Sequence, residues 1–176
     1  MSDLYNQIVE QRGSVERLIA RIPGFAGYMD RASRRTADRM LRDYIAGEIA
    51  ARINRLAAIE KKLLDQGGLM HMAKTKSTKT KLQTFHDRVK AAAPGYSGFN
   101  AAIKIGEEEL GHLYSFDEAQ IRYLDQIDGA LDTLDTAVKE NGDIAAAIEA
   151  LDAVAVEANE AFSLREDVLT NLDKSL

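Results

Sequence analysis

The sequence predicts an all-α protein, an antiparallel bundle of about five helices. Apolar residues recur at intervals of three and four along most of the chain, which is the period of one face of a helix. Runs that alternate apolar and polar residues, as strands do, are missing. The chain is 45% hydrophobic and 29% charged, has no tryptophan and is rich in alanine. This composition is typical of a globular protein built from closely packed helices.

The first two helices are predicted to lie before the first double glycine. One covers about residues 3–21, and Pro23 ends it because the residue before a proline is disfavoured in the helical region. The second covers about residues 30–66 and stops at Gly67-Gly68. At 1.5 Å per residue it is on the order of 55 Å long. We therefore expect it to pack lengthwise against other long helices.

Residues 68–80 are predicted to be a mobile basic link. In AKTKSTKTK, residues 73–81, lysines alternate with serine and threonine, and no apolar seam is visible. A shorter helix over about residues 81–93 follows, and Pro94 closes it. We expect residues 1–176 to form a single helical domain in which this link joins a basic N-terminal half to an acidic C-terminal half.

Two further helices are predicted over about residues 106–140 and 144–172. The first has apolar residues in a three-four rhythm, a coiled-coil-like seam: Leu124, Ile127, Leu131, Leu134 and Val138. Asn141-Gly142-Asp143 between them is typical of a helix stop followed by an N-cap. Two or three of the predicted helices are thus long and coiled-coil-like.

The two halves of the chain carry opposite charge. Residues 1–100 hold 18 Lys and Arg against 10 Asp and Glu, a net +8, while residues 101–176 hold 5 against 18, a net −13. Opposite halves can attract each other within one fold or pair between copies. They can also leave a basic surface free for an anionic partner.

The basic half concentrates five arginines at the start of the long second helix: Arg31, Arg34, Arg35, Arg39 and Arg42. Most of them share one helical face. Two interpretations stay open. They pair with an acidic helix of the C-terminal half, where Asp125, Asp128, Asp132 and Asp135 form a ladder, or they bind an external anion. The negative charge available in the same chain favours the first.

The lysines of the predicted link add to this basic surface. They are Lys74, Lys76, Lys79 and Lys81. Lysines interleaved with serine and threonine suit non-specific phosphate contacts, and they suit a solvated loop equally well. No aromatic residue is interleaved for base stacking, which weakens a single-strand interpretation. With the arginines, they make nucleic acid or acidic membrane a candidate partner.

Both prolines of the chain open the same pattern, PGFAGY at residues 23–28 and PGYSGF at residues 94–99. Proline followed by glycine is typical of a type II turn. The aromatic residues are Phe25, Tyr28, Tyr96 and Phe99. We predict that they cap the bundle core at two helix–helix corners. If they are exposed instead, they form a docking turn for a partner, because exposed aromatics often anchor interfaces.

One pair has the spacing of metal ligands. Glu109 and His112 form an E-x-x-H pair, part of the di-iron carboxylate pattern of four-helix bundles. A second pair is missing from the chain, so these residues are weak candidates for half of a ferritin-like site completed across a symmetric dimer. The alternative, purely structural interpretation is that acidic residues 107–109 stabilise a helix N-terminus. No cofactor is predicted.

No catalytic set stands out from the sequence. The chain has no cysteine and no nucleophile, phosphate-loop or dinucleotide motif. The N-terminus does not resemble a secretory signal and no apolar run is long enough to span a bilayer, so a cytoplasmic protein is expected. We predict a non-enzymatic helical interaction or structural protein, oligomeric or part of a larger assembly. The alternatives are an anion-surface binder and, third, a ferritin-like metalloprotein; no small-molecule substrate is inferred.

Overall fold

The chain is helical throughout the part that the structure describes. This computed structural model describes residues 3–10, 13–22, 24, 34–92 and 107–174, with the side chains of these except 34–37, 107–110 and 171–174. Within these ranges there is no strand, and the prediction of an all-helical protein is confirmed. In the described ranges six α-helices pack against each other, and a 3₁₀ turn, Leu69–His71, precedes the fourth. The helices are α1 Asp3–Val9, α2 Ser14–Arg21, α3 Arg34–Asp65, α4 Met72–Ala91, α5 Glu107–Glu140 and α6 Ile144–Lys174.

The first predicted helix is two helices. Gly13 has a φ of 78°, in the left-handed region, and this residue separates α1 from α2. Glycine populates that region at little cost, whereas other residues do so only with strain. The apolar spacing continues across the break, which is why the sequence pattern alone indicated a single helix.

The predicted mobile link is also wrong, since α4 begins at Met72 and runs through the lysine-rich segment. Thr75 and Thr78 are only 1% exposed and take the inward positions of its first turns. Their hydroxyls donate to the carbonyls of Met72 and Lys74 at 3.2 Å. Small polar residues therefore continue the apolar seam of Leu82, Phe85 and Val89 in the same three-four rhythm.

The four long helices form two hairpins that lie side by side. Helices α3 and α4 are antiparallel, as are α5 and α6, and α3 lies along α5 while α4 lies along α6. Ion pairs from Arg52 to Asp128 and from Lys62 to Asp135 advance in the same direction on both helices, so α3 and α5 are parallel. The antiparallel arrangement that we predicted is thus limited to each hairpin. Helices α1 and α2 pack on the first half of α5.

The core divides into two clusters along the bundle. One lies at the end where α3 and α5 begin, includes the aromatic Phe85, Phe116 and Phe162, and takes in α1 and α2. The other lies toward the hairpin turns and consists of aliphatic residues. The predicted seam of α5 is fully buried: Leu124 lies in the first cluster, and the other four seam residues lie in the second.

Both hairpin turns contain a backbone hydrogen bond from a glycine to the carbonyl five residues earlier. In the α3–α4 turn, Gly68 N donates to the Leu63 carbonyl at 2.8 Å and Gly67, at φ 80°, donates to the Leu64 carbonyl at 3.0 Å. This is a Schellman motif. In the α5–α6 turn, Asn141 takes the positive φ and Gly142 N donates to the Ala137 carbonyl at 2.8 Å. The predicted N-cap is confirmed, because the Asp143 carboxylate accepts from Ala146 N at 2.9 Å.

The first turn makes a stability prediction. A Cβ added at Gly68 would lie 2.4 Å from Leu63 Cδ1 and 2.9 Å from the Leu63 carbonyl oxygen. We expect Gly68→Ala to lower the free energy of unfolding by about 1–3 kcal/mol, through overpacking. Gly47→Ala is the control: nothing lies within 4 Å of its added Cβ in the middle of α3, so it should raise stability by roughly 0.5–1 kcal/mol. Urea unfolding measures both, and a neutral Gly68→Ala would contradict this account of the turn.

Candidate functional site

The predicted arginine stripe is not one exposed surface. Arg42 is buried and pairs with Asp38 on the preceding turn, at 2.5 Å. Arg39 is exposed and has no ion pair among the residues that the structure describes. Arg31 lies outside the described residues, and Arg34 and Arg35 begin α3 with side chains outside them as well. The part of the stripe that can be placed therefore divides between the core and the solvent.

Arg42 belongs to a cluster of buried charges that joins three helices. Arg165 of α6 is 2% exposed; its Nε donates to Asp117 of α5 at 2.6 Å and its Nη2 to Asp38 of α3 at 3.3 Å. Burial lowers the pKa of Arg42, and the Asp38 carboxylate opposes that shift. Two arginines and two aspartates balance in charge, which is what buried ionised groups require. The cluster ties the beginnings of α3 and α5 to the last turns of α6.

Sequence reasoning missed this cluster, although a signal was present. Arg165 follows Ala158 by seven residues and Phe162 by three, so it takes the next inward position of α6. A charged residue at a seam position predicts either a buried partner or a break in the seam. Here the partners are on other helices, at a sequence separation of 48 for Asp117 and 127 for Asp38.

The acidic ladder of α5 pairs with a different set of cations from the one we predicted. Asp128 pairs with Arg52 and Asp132 with Arg55, both of α3. Lys62, further along α3, pairs with Asp135 at 2.6 Å. The fourth ladder residue, Asp125, pairs with Arg21 of α2. The counterparts of the ladder thus lie along the middle of α3 and on α2, beyond the predicted stripe.

Three of the four predicted lysines are also paired. On the α4–α6 side, Lys74 contacts Glu149 and Lys81 contacts Asp152, each at 2.6 Å. Lys79 pairs with Glu60 of α3. Lys76 is exposed and has no ion pair within the described ranges. The basic segment mainly binds the acidic half of its own chain.

The other predicted site residues are only partly placed. Phe25, Tyr28, Tyr96 and Phe99 lie outside the described residues, so both interpretations of the two corners stay predictions. The side chain of Glu109 lies outside them too. The His112 ring packs edge-on against Tyr5, with ring centroids 6.3 Å apart. In the part of the chain that the structure describes, no group of three or more His, Asp or Glu residues is arranged to hold a metal ion.

Among the described residues, the most exposed large apolar side chains lie at the α3–α4 turn. Met70 is 84% and Leu69 is 72% exposed on the 3₁₀ turn, and Leu64 on the last turn of α3 is 45% exposed. We call these three residues the apolar tip. Sequence reasoning placed this segment in a mobile link and missed the tip. The available signal was a Leu-Met pair directly after a double glycine, where turn residues are normally polar.

A groove of about 390 Å³ lies between α2 and α5. Its floor includes Glu118, which is buried and accepts from the Nε atoms of Arg17 and Arg122 at 2.8 Å. Arg21 and Asp125 pair at one edge. Cations and carboxylates satisfy each other across the groove, so it serves to hold α2 on α5.

The comparisons with known proteins return nothing that resembles this chain. No family model, no curated protein and no solved structure matches it. Among the described helices, none has the length and apolar character needed to cross a bilayer.

The buried charge cluster makes a second prediction. We expect Arg165→Met to lower the free energy of unfolding by roughly 3–5 kcal/mol, because it leaves a buried carboxylate without its partner. Arg55→Met is the matched control; its exposed pair with Asp132 should be worth less than about 1 kcal/mol. Adding Asp117→Asn to Arg165→Met should recover part of the loss. Equal, small losses in the two single variants by chemical denaturation would contradict the assignment.

The α4–α6 seam makes a prediction about acid stability. Burial alone raises the pKa of Asp152, but hydrogen bonds from Lys81 and Thr78 outweigh it, and the pKa lies below its ordinary value of 3.8. A depressed carboxyl pKa stabilises the fold above the unfolded-state value, and this contribution is lost as pH falls through the folded-state pKa. Asp152→Asn should therefore destabilise the protein at neutral pH. The difference in the free energy of unfolding between Asp152→Asn and wild type should disappear as the pH falls below about 3.8.

Urea unfolding of both proteins from about pH 7 down to about pH 2 measures this difference in the free energy of unfolding. Asp132→Asn is the control, since that carboxylate is 70% exposed and should change little at any pH. A difference between Asp152→Asn and wild type that stays constant through the acid range would refute the assignment.

Proposed function

We propose that this chain is a non-enzymatic helical interaction protein, a subunit of an assembly, which contacts a protein partner through the apolar tip. The observation that carries the proposal is the exposure of Leu69 and Met70 on a turn whose backbone is fixed by a Schellman motif. Singly exposed apolar residues are ordinary on protein surfaces. Two adjacent ones on a turn of defined conformation are a candidate contact surface.

The size of the effect supports a binding role. Full burial of a leucine or methionine side chain contributes roughly 1.5–3 kcal/mol. The turn is already in a defined conformation. Binding of a partner therefore loses little backbone conformational entropy at this turn. A few such side chains commonly supply most of the free energy of an interface.

The anion-surface alternative has less support. Among the cations that suggested it, Arg42 is buried, and Lys74, Lys79 and Lys81 are paired with carboxylates. Such pairs compete with an external phosphate for the same ammonium groups. A ferritin-like interchain site stays a prediction from Glu109 and His112, and elemental analysis of freshly purified protein for iron, manganese and zinc tests it.

Affinity capture from the native host tests the proposal. We compare wild type with Leu69→Ser/Met70→Ser, and we use Val156→Ser as the matched control, because Val156 is an exposed apolar residue of α6 at 44%. The tip variant should lose at least about tenfold of a protein partner that wild type and the control retain. Equal recovery by all three would refute the tip as the contact surface. Recovery of nucleic acid or lipid in place of protein would favour the alternative.

A further inference from the structure

We propose that the partner of the apolar tip is a second copy of this chain. The two copies meet end to end, with the α3–α4 turn of each copy over the α5–α6 turn of the other. The inference rests on the proposed function, since it names the partner of the same surface. Three observations support it: where the two turns lie, how they are charged, and how much apolar surface is exposed there.

Both turns lie side by side at one end of the bundle. Because α3 is parallel to α5 and α4 to α6, each hairpin turns back at the same level. Two ion pairs join the hairpins close to these turns, Lys62 to Asp135 and Lys74 to Glu149, each at 2.6 Å. The end face of the bundle therefore consists of two adjacent turns held in a fixed relation.

The two turns carry opposite charge. Residues 61–76, around the α3–α4 turn, hold four lysines and one aspartate, a net +3, whereas residues 135–149 hold four carboxylates and one lysine, a net −3. Ion pairs within the chain neutralise part of this charge. Lys61, Lys76 and Asp65 stay exposed on the basic side, and Glu140, Asp143 and Lys139 stay exposed on the acidic side, so the pairs Lys62–Asp135 and Lys74–Glu149 reduce the net charges to +1 and −1. The end face is thus basic and apolar on one side and acidic on the other.

Such a face is complementary to itself under a two-fold rotation. If the axis lies in the plane of the end face, between the two turns, each basic turn meets the acidic turn of the other copy. The contact is isologous and closes as a dimer. Placing like turns over each other would oppose lysines with lysines and carboxylates with carboxylates, at an electrostatic cost. The charge pattern therefore selects the crossed arrangement.

The apolar area limits how tight this dimer is. Specific interfaces bury roughly 1,000 Å² or more in total, and the exposed parts of Leu69 and Met70 from two copies supply well under that. The surrounding charged residues must contribute the rest of the buried area and of the binding free energy. We expect a dissociation constant of about 1–100 µM that weakens as salt screens the charges.

Sedimentation velocity over about 1–100 µM protein, at about 50 mM and about 500 mM salt, measures the dissociation constant. We expect Leu69→Ser/Met70→Ser to raise it at least about tenfold, while Val156→Ser leaves it unchanged. Both sets of side chains are exposed, so circular dichroism should find the variants folded. A wild-type monomer throughout this range would overturn the inference, as would a dimer that the tip variant leaves intact.

Charge reversal tests which turns meet. Lys61, four residues before the end of α3, and Glu140, the last residue of α5, are both exposed, and the crossed contact would bring these opposite charges toward each other. Lys61→Glu alone and Glu140→Lys alone should each weaken the dimer several-fold at low salt. The double variant should restore it, because both signs are exchanged. A double variant that is weaker than either single one would overturn the crossed arrangement.

The chain has no cysteine, so introduced thiols report on distance without background. Met70→Cys/Glu140→Cys should give a cross-linked dimer with a short bismaleimide. Met70→Cys alone should not, because the two Met70 side chains are separated by the width of the end face. Efficient cross-linking of the single variant would overturn the crossed arrangement in favour of contact between like turns.

The failure of this inference differs from the failure of the proposed function. A monomeric protein that still recovers a different host protein through the apolar tip overturns only the identity of the partner. If host capture is insensitive to the tip variant and the protein is monomeric, both are overturned. A dimer that depends on the tip and shows the expected charge reversal establishes the inference, whether or not another protein is captured.

Discussion

The parallel register of the two hairpins is the constraint on which the rest of the structure depends. Paired residues between α3 and α5 are separated by 76, 77 and 73 positions, and those between α4 and α6 by 75, 71 and 78. One nearly constant shift thus relates the whole second hairpin to the first. The opposite charges of the two halves of the chain pair across this shift.

The energy and the register come from different interactions. An exposed ion pair contributes at most about 1 kcal/mol, whereas each buried leucine or isoleucine of the seams contributes roughly 1.5–3 kcal/mol. The two core clusters therefore supply most of the stability. Apolar seams tolerate a slip of one helical turn between the hairpins, and so does the acidic ladder, because Arg55 already contacts both Asp128 and Asp132. The buried Arg165 of α6 disfavours such a slip, because the slip would separate this side chain from Asp38 of α3.

The sequence predicted the helices better than their arrangement. Boundaries of α5 and α6 agree with the pattern within one or two residues, since an N-cap and a Schellman turn are local features. The lysine-rich part of α4 was missed because Thr75 and Thr78 occupy core positions where the pattern requires apolar residues. Parallel packing, the buried Arg165 and the apolar tip depend on contacts between distant segments. The periodicity within one segment does not specify which face of the first hairpin packs against which face of the second.

The uneven placement of aromatic residues makes the two halves of the bundle optically distinct. The chain has no tryptophan, and the described tyrosines, Tyr5, Tyr44, Tyr114 and Tyr123, all lie on the half that holds the buried charges. Among the described residues, the aliphatic half, which ends in the hairpin turns, contributes helix but no tyrosine. Intrinsic emission of the described tyrosines therefore follows one half, while far-ultraviolet circular dichroism follows both. Comparing the two signals during unfolding separates a single cooperative transition from one in which the halves melt in turn.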